Sequence, residues 1–595
     1  MENKNKSEVD GENPEPIYSL RSVEHGEEAL ALAKSMTSLS DMSETDVAIM
    51  SRMTSEDHDL ITPEKPSKNW FMFAINWWLS WAIPGMGMFS EAYILFAIGN
   101  IKPLLRIMYP NCWGKATPTD CDTSVVGDIE TIEICGIIGG MLILGFSADW
   151  IGRKWGSRLC TSIMIFGSIL LTAASGSATA FLVVFATGLC SFGFGVGGEY
   201  PLASSSAAER AEGNPAMRKR RGETVVLTFT QQGWGNWSNT LVILILLAMV
   251  GATGNDPTSN DASIVIHVQF AVALAILLGL AVYRFTKLKE SAVWEAERKG
   301  VDKEMEIEGE KDNTRKLYWL IFKRNWSRLL VTSGAWVVND LAFYGNKLFQ
   351  SKFIAVISGG DATIYKNMQW TLLNSTVALA GYFCAAFLVD KPWYGRVRMQ
   401  AIGFSMMFIL FLMCGIFYNQ LVEDHIHVFQ FLYFFSSFWN QFGPNATTWL
   451  VAGEVFPTDV RAFYHGTSAA FGKAGAIAAS QIFNRISERA TFYVSAGAGA
   501  FGAIITILLL PDTTGLDLAE IDRLNRYLLA GKEKEYHGEA VNPKHMSLFE
   551  KMLGWHKAYD PVIDEEQRTL QNFMSTKSQP LDTIAEDKGI PGVNN

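Results

Sequence analysis

The feature that most constrains the fold is a series of apolar runs, each about as long as a bilayer-crossing helix of about 20 residues. Six runs precede a charged stretch and six follow it. They lie at residues 70–98, 127–147, 159–177, 181–204, 223–250, 263–284, 327–356, 367–389, 399–419, 428–452, 462–484 and 491–510. Because a helix satisfies its own backbone hydrogen bonds in lipid, the sequence predicts an all-α membrane protein with twelve transmembrane helices in two six-helix bundles.

The charge distribution supports this division. Charged residues make up 18% of the chain, against about 25% in soluble domains. They concentrate at the two ends and in LKESAVWEAERKGVDKEMEIEGEKDNTRK, between the sixth and seventh runs. We predict a cytoplasmic tail (1–68), an N-terminal six-helix bundle (69–284), a cytoplasmic linker (285–325), a C-terminal six-helix bundle (326–512) and a second cytoplasmic tail (513–595). Both tails lack sustained apolar periodicity, and we expect them to be mostly disordered.

The placement of lysine and arginine in the short loops predicts the orientation, because the cytoplasmic side retains these residues. With the amino terminus inside, the loops after helices two, four, six and eight are all basic. They contain Arg153, Lys154 and Arg158, residues 218–221, the central linker, and Lys391, Arg396 and Arg398. The alternate loops ATGNDPTSNDAS and EDHIH contain no lysine or arginine. We therefore expect both termini in the cytoplasm, and we call the end that bears these loops the basic end.

The composition and motifs of the sequence argue against several classes of protein. The formal net charge of −10 is opposite to that of a nucleic-acid-binding protein, so no nucleic acid partner is expected. The seven cysteines form no CxxC pair and no Cys/His ligand spacing, which argues against a metal site. No nucleophile elbow or P-loop occurs, so we predict neither an enzyme nor a cofactor. Cys112 and Cys121 share a polar loop in which a disulfide can form but is not required.

A short motif recurs at the same loop of both halves. GFSADWIGRKWGSR follows the second helix and LVDKPWYGRVR follows the eighth. The motif pairs Asp149 with Arg153 and Asp390 with Arg396. The usual enrichment of basic residues at the cytoplasmic ends of membrane helices explains the arginines but not the recurring aspartates. We therefore interpret the pairs as gating latches. Glu454 and Arg461, at the inner end of helix ten, are interpreted as a further latch.

Ionisable side chains inside the predicted membrane helices are candidates for function, because each costs about 2.5 to 3.5 kcal/mol at a helix centre. They are Glu91, Glu199, Asp340 and Lys473. Trp336, Asp340 and Tyr344 are spaced i, i+4, i+8 and therefore share one helix face. Lys473 lies among small residues in AAFGKAGAIAA, as in a helix that lines a cavity. The sequence therefore predicts a polar site within the membrane.

Seven segments, together covering roughly residues 70–520, carry a family resemblance. They are FSEAYILFAI, GGEYPLASSSAAE, QQGWGN, WVVNDLAFYGNKLFQS, GPNATTWLVAGEVFPTDVRA, HGTSAAFGKAGAI and LPDTTGLDLAEID. They resemble the phosphate:proton symporters of the major facilitator superfamily, which include the related fungal glycerophosphodiester permeases. The resemblance implies the major facilitator fold, proton-coupled import of a phosphate-containing anion, and a place in the plasma membrane. We expect a monomer.

The resemblance also implies roles for single residues. The matching positions of the anion site are Tyr200, Gln232, Trp336, Asp340, Tyr344, Asn445 and Lys473. Asp340, Glu91 and Glu199 are implied in proton coupling, with Lys473 as the cationic neighbour of Asp340. Phenols, an indole, amides and an ammonium are the donors that an oxyanion needs.

The substrate stays open. Ser90 to Ile94 and the glutamate before Tyr200 resemble the glycerophosphodiester permeases, whereas Gln232 and the GPN of helix ten resemble phosphate carriers. A porter for an organic carboxylate needs the same donors. A nutrient receptor that signals through its tails is a further alternative, and an ion channel has no filter sequence in its favour. A sugar porter is expected to show a QQ-type pair where this chain has WVVNDLAFYG.

Structural roles are alternatives for several of these residues. Glu199 could latch against the basic loop 218–221. Asp340 and Lys473 could form a purely structural ion pair. Gln232 and Asn445 could only join helices by hydrogen bonds.

Overall fold

The structure, a computed structural model, is helical throughout the part of the chain that it describes. That part comprises residues 70–113, 120–121, 123–212, 219–291, 294–295, 313–348, 353–354, 356 and 362–577. No strand occurs in these ranges. The tail 1–68 and most of the linker 285–325 lie outside the described residues.

The described part of the first half, between residues 70 and 286, contains nine helices. They are α1 (Trp70–Ala82), α2 (Met86–Leu95), α3 (Ala97–Met108), α4 (Pro110–Trp113), α5 (Thr123–Ile151), α6 (Arg153–Ala173), α7 (Ala178–Glu212), α8 (Arg221–Met249) and α9 (Ser259–Thr286). The first predicted span is therefore broken after α1, where Pro84 in the turn Ile83–Gly85 has no N–H to continue the backbone hydrogen bonds. It is broken again at Phe96, between α2 and α3.

The second half begins with a helix that starts earlier than predicted, inside the expected linker. The helices are α10 (Asn313–Leu348), α11 (Ile364–Leu388), α12 (Gly395–Ile416), α13 (Tyr418–Glu423), α14 (Ile426–Asn440), α15 (Ala446–Ala452), α16 (Arg461–Phe483) and α17 (Glu488–Leu509). Among the described residues, six helices are long and apolar enough to cross a membrane by themselves: α6, α7, α9, α11, α12 and α17. The other spans are interrupted or carry more polar residues.

The tenth predicted span is broken in its middle. Residues Gln441–Asn445 form a π-helical turn between α14 and α15, and Gly443 has the non-helical angles φ −107° and ψ −106°. Pro444 has no N–H to donate and its ring clashes with the carbonyl four residues earlier, which interrupts the regular helical hydrogen bonds at this point. The turn brings several amide side chains into the protein interior.

The two halves pack against each other through α5 with α16 and through α8 with α11. Glycines permit the closest approaches. A Cβ atom on Gly466 of α16 would lie 2.4 Å from the carbonyl oxygen of Met141 on α5. A Cβ atom on Gly475 would lie 2.2 Å from the carbonyl oxygen of Val337, so α16 and α10 are nearly in backbone contact beside Lys473.

The segment after Pro511 is folded, so the expectation of a mostly disordered C-terminal tail is wrong as far as residue 577. It contains α18 (Leu518–Leu529), α19 (Leu548–Met552) and α20 (Pro561–Lys577). A small core of Leu524, Tyr536, Ala540, Val541 and Met546 holds its first part together. Sequence periodicity missed this fold because its helices are short and are joined by 3₁₀ turns.

The chain divides into two compact units. One spans residues 57–561, and the other combines residues 1–56 with 562–595, of which only the helical residues up to Lys577 are described. In the first unit Cys112 and Cys121 form a disulfide, with Cα atoms 5.4 Å apart. The sequence left this disulfide open, and the structure contains it.

Candidate functional site

A group of buried polar side chains lies between the two halves, and we call it the central polar network. Its members, each at most 5% exposed, are Glu91, Tyr200, Gln232, Asn339, Asp340, Tyr344, Tyr382, Asn445 and Lys473. They come from α2, α7, α8, α10, α11, the π-helical turn and α16. Because burying such groups is costly unless they are hydrogen-bonded, their partners determine what the site can do.

Lys473 is the cation of the network. Its Nζ lies 3.0 Å from Asp340 Oδ2 and donates a hydrogen bond to the Tyr344 hydroxyl at 2.7 Å. The ammonium also lies 4.3 Å from the ring centroid of Tyr344 and 4.9 Å from that of Tyr200. The predicted pairing of Lys473 with Asp340 is thus present in the structure, surrounded by phenols.

Glu91 lies in the other half of the network. The Tyr200 hydroxyl donates to Glu91 Oε1 at 2.5 Å and accepts from Gln232 Nε2 at 3.0 Å. Tyr382 donates in turn to Gln232 Oε1 at 2.7 Å. The carboxylate of the first half is therefore linked to α8 and to α11, a helix of the second half.

Asn445, placed by the π-helical turn, completes the connection. Its Nδ2 lies 3.1 Å from Gln232 Oε1 and 2.9 Å from the Tyr382 hydroxyl. Its Oδ1 accepts from Asn339 Nδ2 at 3.3 Å, and the same Nδ2 lies 3.2 Å from Asp340 Oδ1. A continuous chain of hydrogen-bonding groups thus joins the two buried acids.

Trp336 flanks the network on the same helix as Asp340 and Tyr344. Its ring centroid lies 6.2 Å from that of Tyr200 and 5.4 Å from that of His465. The three α10 residues therefore point toward the interior, as their spacing predicts.

Sequence reasoning missed Asn339 and Tyr382, which take part in the network, and Glu133, a further buried acid on α5. Glu133 lies inside an apolar run, the same signal that identified Glu91. Asn339 precedes Asp340 directly and was overlooked because the helix-face argument selects only every fourth residue. Tyr382 carries no sequence signal that separates it from an interfacial phenol.

Glu199 forms a different contact from the one suggested. Its carboxylate forms a buried ion pair with Arg284 of α9, whose Nη1 donates to Glu199 Oε2 at 2.8 Å and to Thr161 Oγ1 at 2.7 Å. The partner of Glu199 in the structure is therefore Arg284, on a helix of the same half. The pair ties α7, α9 and α6 together within the first half.

A cluster of buried charges joins the two halves at the basic end, and we call it the latch. Glu454 accepts from Arg221 Nε at 2.7 Å and from Arg396 Nη2 and Nε at 2.9 and 3.0 Å. Thr513 of the C-terminal segment donates to the same carboxylate at 2.5 Å. Burial raises the pKa of Glu454, but the two arginines and these hydrogen bonds outweigh it and hold the pKa at about 2.

Asp390 extends the latch to the start of α8. It accepts from the backbone N–H of Gly222 and Glu223 at 3.2 and 2.7 Å, and from Arg396 Nη1 at 2.7 Å. A carboxylate at a helix amino terminus is stabilised by the N–H groups that the helix itself leaves unpaired. The predicted pair Asp390 and Arg396 thus lies at the contact between the halves.

The other predicted latch residues lie elsewhere. Arg461 donates to the carbonyl of Phe456 at 3.2 Å and lies 3.9 Å from Asp522, so it does not bind Glu454. The backbone N–H of Arg153 donates to Glu290 at 2.7 Å, and Glu290 therefore caps α6. The side chain of Asp149 lies outside the described residues.

The arrangement offers one ammonium, phenol hydroxyls and amide N–H groups around two acids, which suits an oxyanion that binds together with protons. Within the described residues, no group of three or more histidine, cysteine, aspartate or glutamate side chains is arranged to hold a metal ion. The central polar network is therefore the candidate site for a small polar solute.

Comparisons with known proteins place the chain in a family. Residues 82–524 match the family model for sugar (and other) transporters. A probable inorganic phosphate transporter 1-12 of Oryza sativa subsp. japonica is 30% identical over 499 residues, which cover 74% of this chain and 90% of the relative. The low affinity inorganic phosphate transporter 1 of Petunia hybrida is 28% identical over 500 residues, covering 74% and 92%.

Solved structures show the same fold. The proton:xylose symporter XylE superimposes with a TM-score of 0.60 at 16% identity, covering 75% of this chain and 98% of that one. The prediction of a major facilitator fold with two six-helix bundles is confirmed, and so is the prediction of a transporter instead of an enzyme. The chain belongs to the sugar (and other) transporter family of the major facilitator superfamily and is an integral multi-pass membrane protein.

Proposed function

We propose that the protein is a proton-coupled symporter that imports a phosphate-containing anion, either inorganic phosphate or a glycerophosphodiester. The observation that carries the proposal is the buried pair of Lys473 and Asp340 among hydrogen-bond donors of both halves. The relatives named as inorganic phosphate transporters support the phosphate group as the recognised part of the substrate.

The anion shell is formed by residues that already meet in the network. Tyr200, Tyr344, Gln232 and Asn445 supply O–H and N–H donors, and Trp336 adds an indole N–H beside them. Lys473 supplies the positive charge. Charge-assisted hydrogen bonds are about twice as strong as neutral ones, so the ammonium is the main attraction for the anion.

Charge balance explains why a proton accompanies the anion. With Glu91 and Asp340 both ionised and Lys473 protonated, these three residues carry one net negative charge and repel a phosphate. Protonated Asp340 releases Lys473 for the anion and can itself donate a hydrogen bond to it. Anion and proton therefore favour each other's binding, which is the thermodynamic requirement of symport.

Glu91 is the second coupling acid in this proposal, because Tyr200 and Gln232 link it to the same site. Glu199, implied in coupling by the resemblance, is assigned a structural role instead, since Arg284 neutralises it. This assignment keeps the structural alternative for Glu199 but with Arg284 as its partner.

The basic end faces the cytoplasm in this proposal, with both termini on that side and the protein acting as a monomer in the plasma membrane. The latch of Glu454, Arg221, Arg396 and Asp390 closes that end, and it must open for the anion to leave. Alternation between closed and open ends around one site is the working principle of transporters built from repeated halves.

Uptake by yeast that lacks its own carriers and expresses this chain tests the proposal. Labelled phosphate and labelled glycerophosphocholine are supplied separately at pH 5 and pH 7, with and without a protonophore. We expect accumulation of one of them that is greater at pH 5 and collapses with the protonophore. Accumulation of neither, or uptake that ignores the protonophore, would contradict the proposal and turn attention to carboxylates or a receptor role.

The latch gives a separate prediction on pH. Because the pKa of Glu454 lies about 2, below its ordinary value of 4.5, the stability from its ion pairs is fully present above pH 4.5 and is lost only as the pH falls toward 2. Glu454→Gln therefore changes the rate of uptake but not the midpoint of its pH profile between pH 5 and 8. A shift of the midpoint by about one pH unit, absent in the exposed control Glu423→Gln, would show that the latch itself titrates.

A further inference from the structure

The amino-terminal part of α10 carries an exposed stripe of large apolar side chains. Trp319, Phe322, Trp326 and Leu330 are 60%, 38%, 41% and 53% exposed. Their spacing of three and four residues places them on one helix face. Leu330 lies inside the apolar run that begins at residue 327, so the stripe continues the bilayer-facing surface of α10 for about 16 Å toward the basic end.

The C-terminal segment adds to this surface. Leu548, Met552 and Leu553 are 47%, 77% and 49% exposed, and Phe549 packs edge-on against Trp326 with ring centroids 5.6 Å apart. We call these residues and the α10 stripe the apolar apron. An exposed apolar surface of this kind on a folded segment marks a contact with a partner or a membrane.

Two ion pairs on the other face of α10 hold the apron in place, of which the pair of Arg328 and Glu550 is buried on both sides. Arg328 Nε lies 2.8 Å from Glu550 Oε1, and Arg324 Nε lies 2.7 Å from Glu533 Oε1. The Arg324 guanidinium also lies 3.5 Å from the ring centroid of Trp555. Residues 533–555 are thus fixed to the helix that carries Asp340, and Leu548, Met552 and Leu553 remain exposed on this segment.

The charged residues around the apolar apron indicate what binds there. Exposed or half-exposed lysines adjoin the apron in the chain: Lys323, Lys544, Lys551 and Lys557. The nearby acids Glu533 and Glu550 are already neutralised by arginines. Tryptophan together with lysine is the combination found where a protein meets the headgroup layer, and each lysine there attracts anionic lipid.

We propose that the apolar apron lies in the headgroup layer and binds anionic phospholipid, which anchors the C-terminal segment to the membrane. The proposal goes beyond transport and rests only on the placement of the basic end at a membrane surface. Since Thr513 of the same segment binds the latch carboxylate Glu454, the anchored segment connects the lipid surface with the gate.

Photocrosslinking of the full-length protein tests this. p-Benzoylphenylalanine replaces Met552, and in a matched control it replaces Glu535, an exposed residue of the same segment outside the apron. Both proteins are placed in nanodiscs of phosphatidylserine and phosphatidylcholine. We expect lipid adducts at position 552 and not at 535, with phosphatidylserine favoured, and a loss of that preference by up to about fivefold for each of Lys544→Gln and Lys551→Gln.

Two outcomes would overturn the proposal. Equal lipid adducts at positions 552 and 535 would show that the apron does not lie in the headgroup layer. Adducts with a second copy of the chain or with another protein would show that the apron is a protein interface. Neither outcome depends on transport, so failure here is distinguishable from failure of the proposed symport.

Discussion

Asp340→Asn abolishes proton-driven accumulation while the protein still folds and reaches the membrane. The amide keeps the size of the side chain and can still hydrogen-bond Lys473, but it cannot take up a proton. A gradient of one pH unit supplies about 1.4 kcal/mol per proton and so concentrates a cotransported anion about tenfold. In the variant the ratio of internal to external anion falls to one.

The matched control for this change is Asp424→Asn, at an exposed acid outside the network. It retains the full accumulation ratio, measured with labelled anion in proteoliposomes under the same gradient. Counterflow exchange without a gradient distinguishes lost coupling from lost binding. Accumulation above unity by Asp340→Asn would remove Asp340 from the coupling mechanism.

Arg284→Met strongly destabilises the fold. The arginine is 5% exposed and its partner Glu199 is 1% exposed, so the substitution leaves a carboxylate buried without its counter-ion. Breaking a buried ion pair by removing one partner costs about 3 to 5 kcal/mol, whereas a typical substitution costs about 1 kcal/mol. We expect a clear fall in the melting temperature of the detergent-solubilised protein and little protein at the membrane.

The double variant Glu199→Gln with Arg284→Met decides how this loss arises. It removes both charges, so it recovers most of the melting temperature if the cost lies in the unpaired carboxylate. It also retains proton coupling, because Glu199 is structural in this account. A double variant that is stable but uncoupled would return Glu199 to the coupling acids.

The transmembrane plan could be read from the sequence because apolar length is a local property. The runs that begin near residues 159, 263 and 399 correspond to α6, α9 and α12 without breaks. The break at Gln441–Asn445 could be suspected from Pro444. The placement of Asn445 within hydrogen-bonding distance of Gln232 depends on how α8 and the turn pack together, which no local pattern encodes.

The residues of the candidate site could likewise be predicted only where a local pattern marks them. The acids and Lys473 stood out because charge in an apolar run is costly. Tyr382 and Asn339 did not, since neutral polar residues carry little cost unless their surroundings are known. The partner suggested for Glu199 as a structural alternative was wrong, because Arg284 lies far away in the chain and meets Glu199 only in the fold.

The folded C-terminal segment was missed for a related reason. Its anchors are the pairs of Arg328 with Glu550 and of Arg324 with Glu533, each separated by more than two hundred residues. Read alone, residues 512–560 are polar and carry short helices, a pattern that also fits a disordered tail. The segment is held in its fold by ion pairs to a distant helix, and a local sequence pattern does not show such pairs.

Proton movement driven by the anion tests the central claim most directly. Proteoliposomes that contain the protein and an internal pH indicator receive phosphate, or glycerophosphocholine, from outside without an imposed pH gradient. The account predicts that anion entry acidifies the interior with a fixed number of protons per anion, and that Asp340→Asn abolishes this acidification. Anion entry without acidification, or acidification that survives Asp340→Asn, would contradict symport through the pair of Lys473 and Asp340.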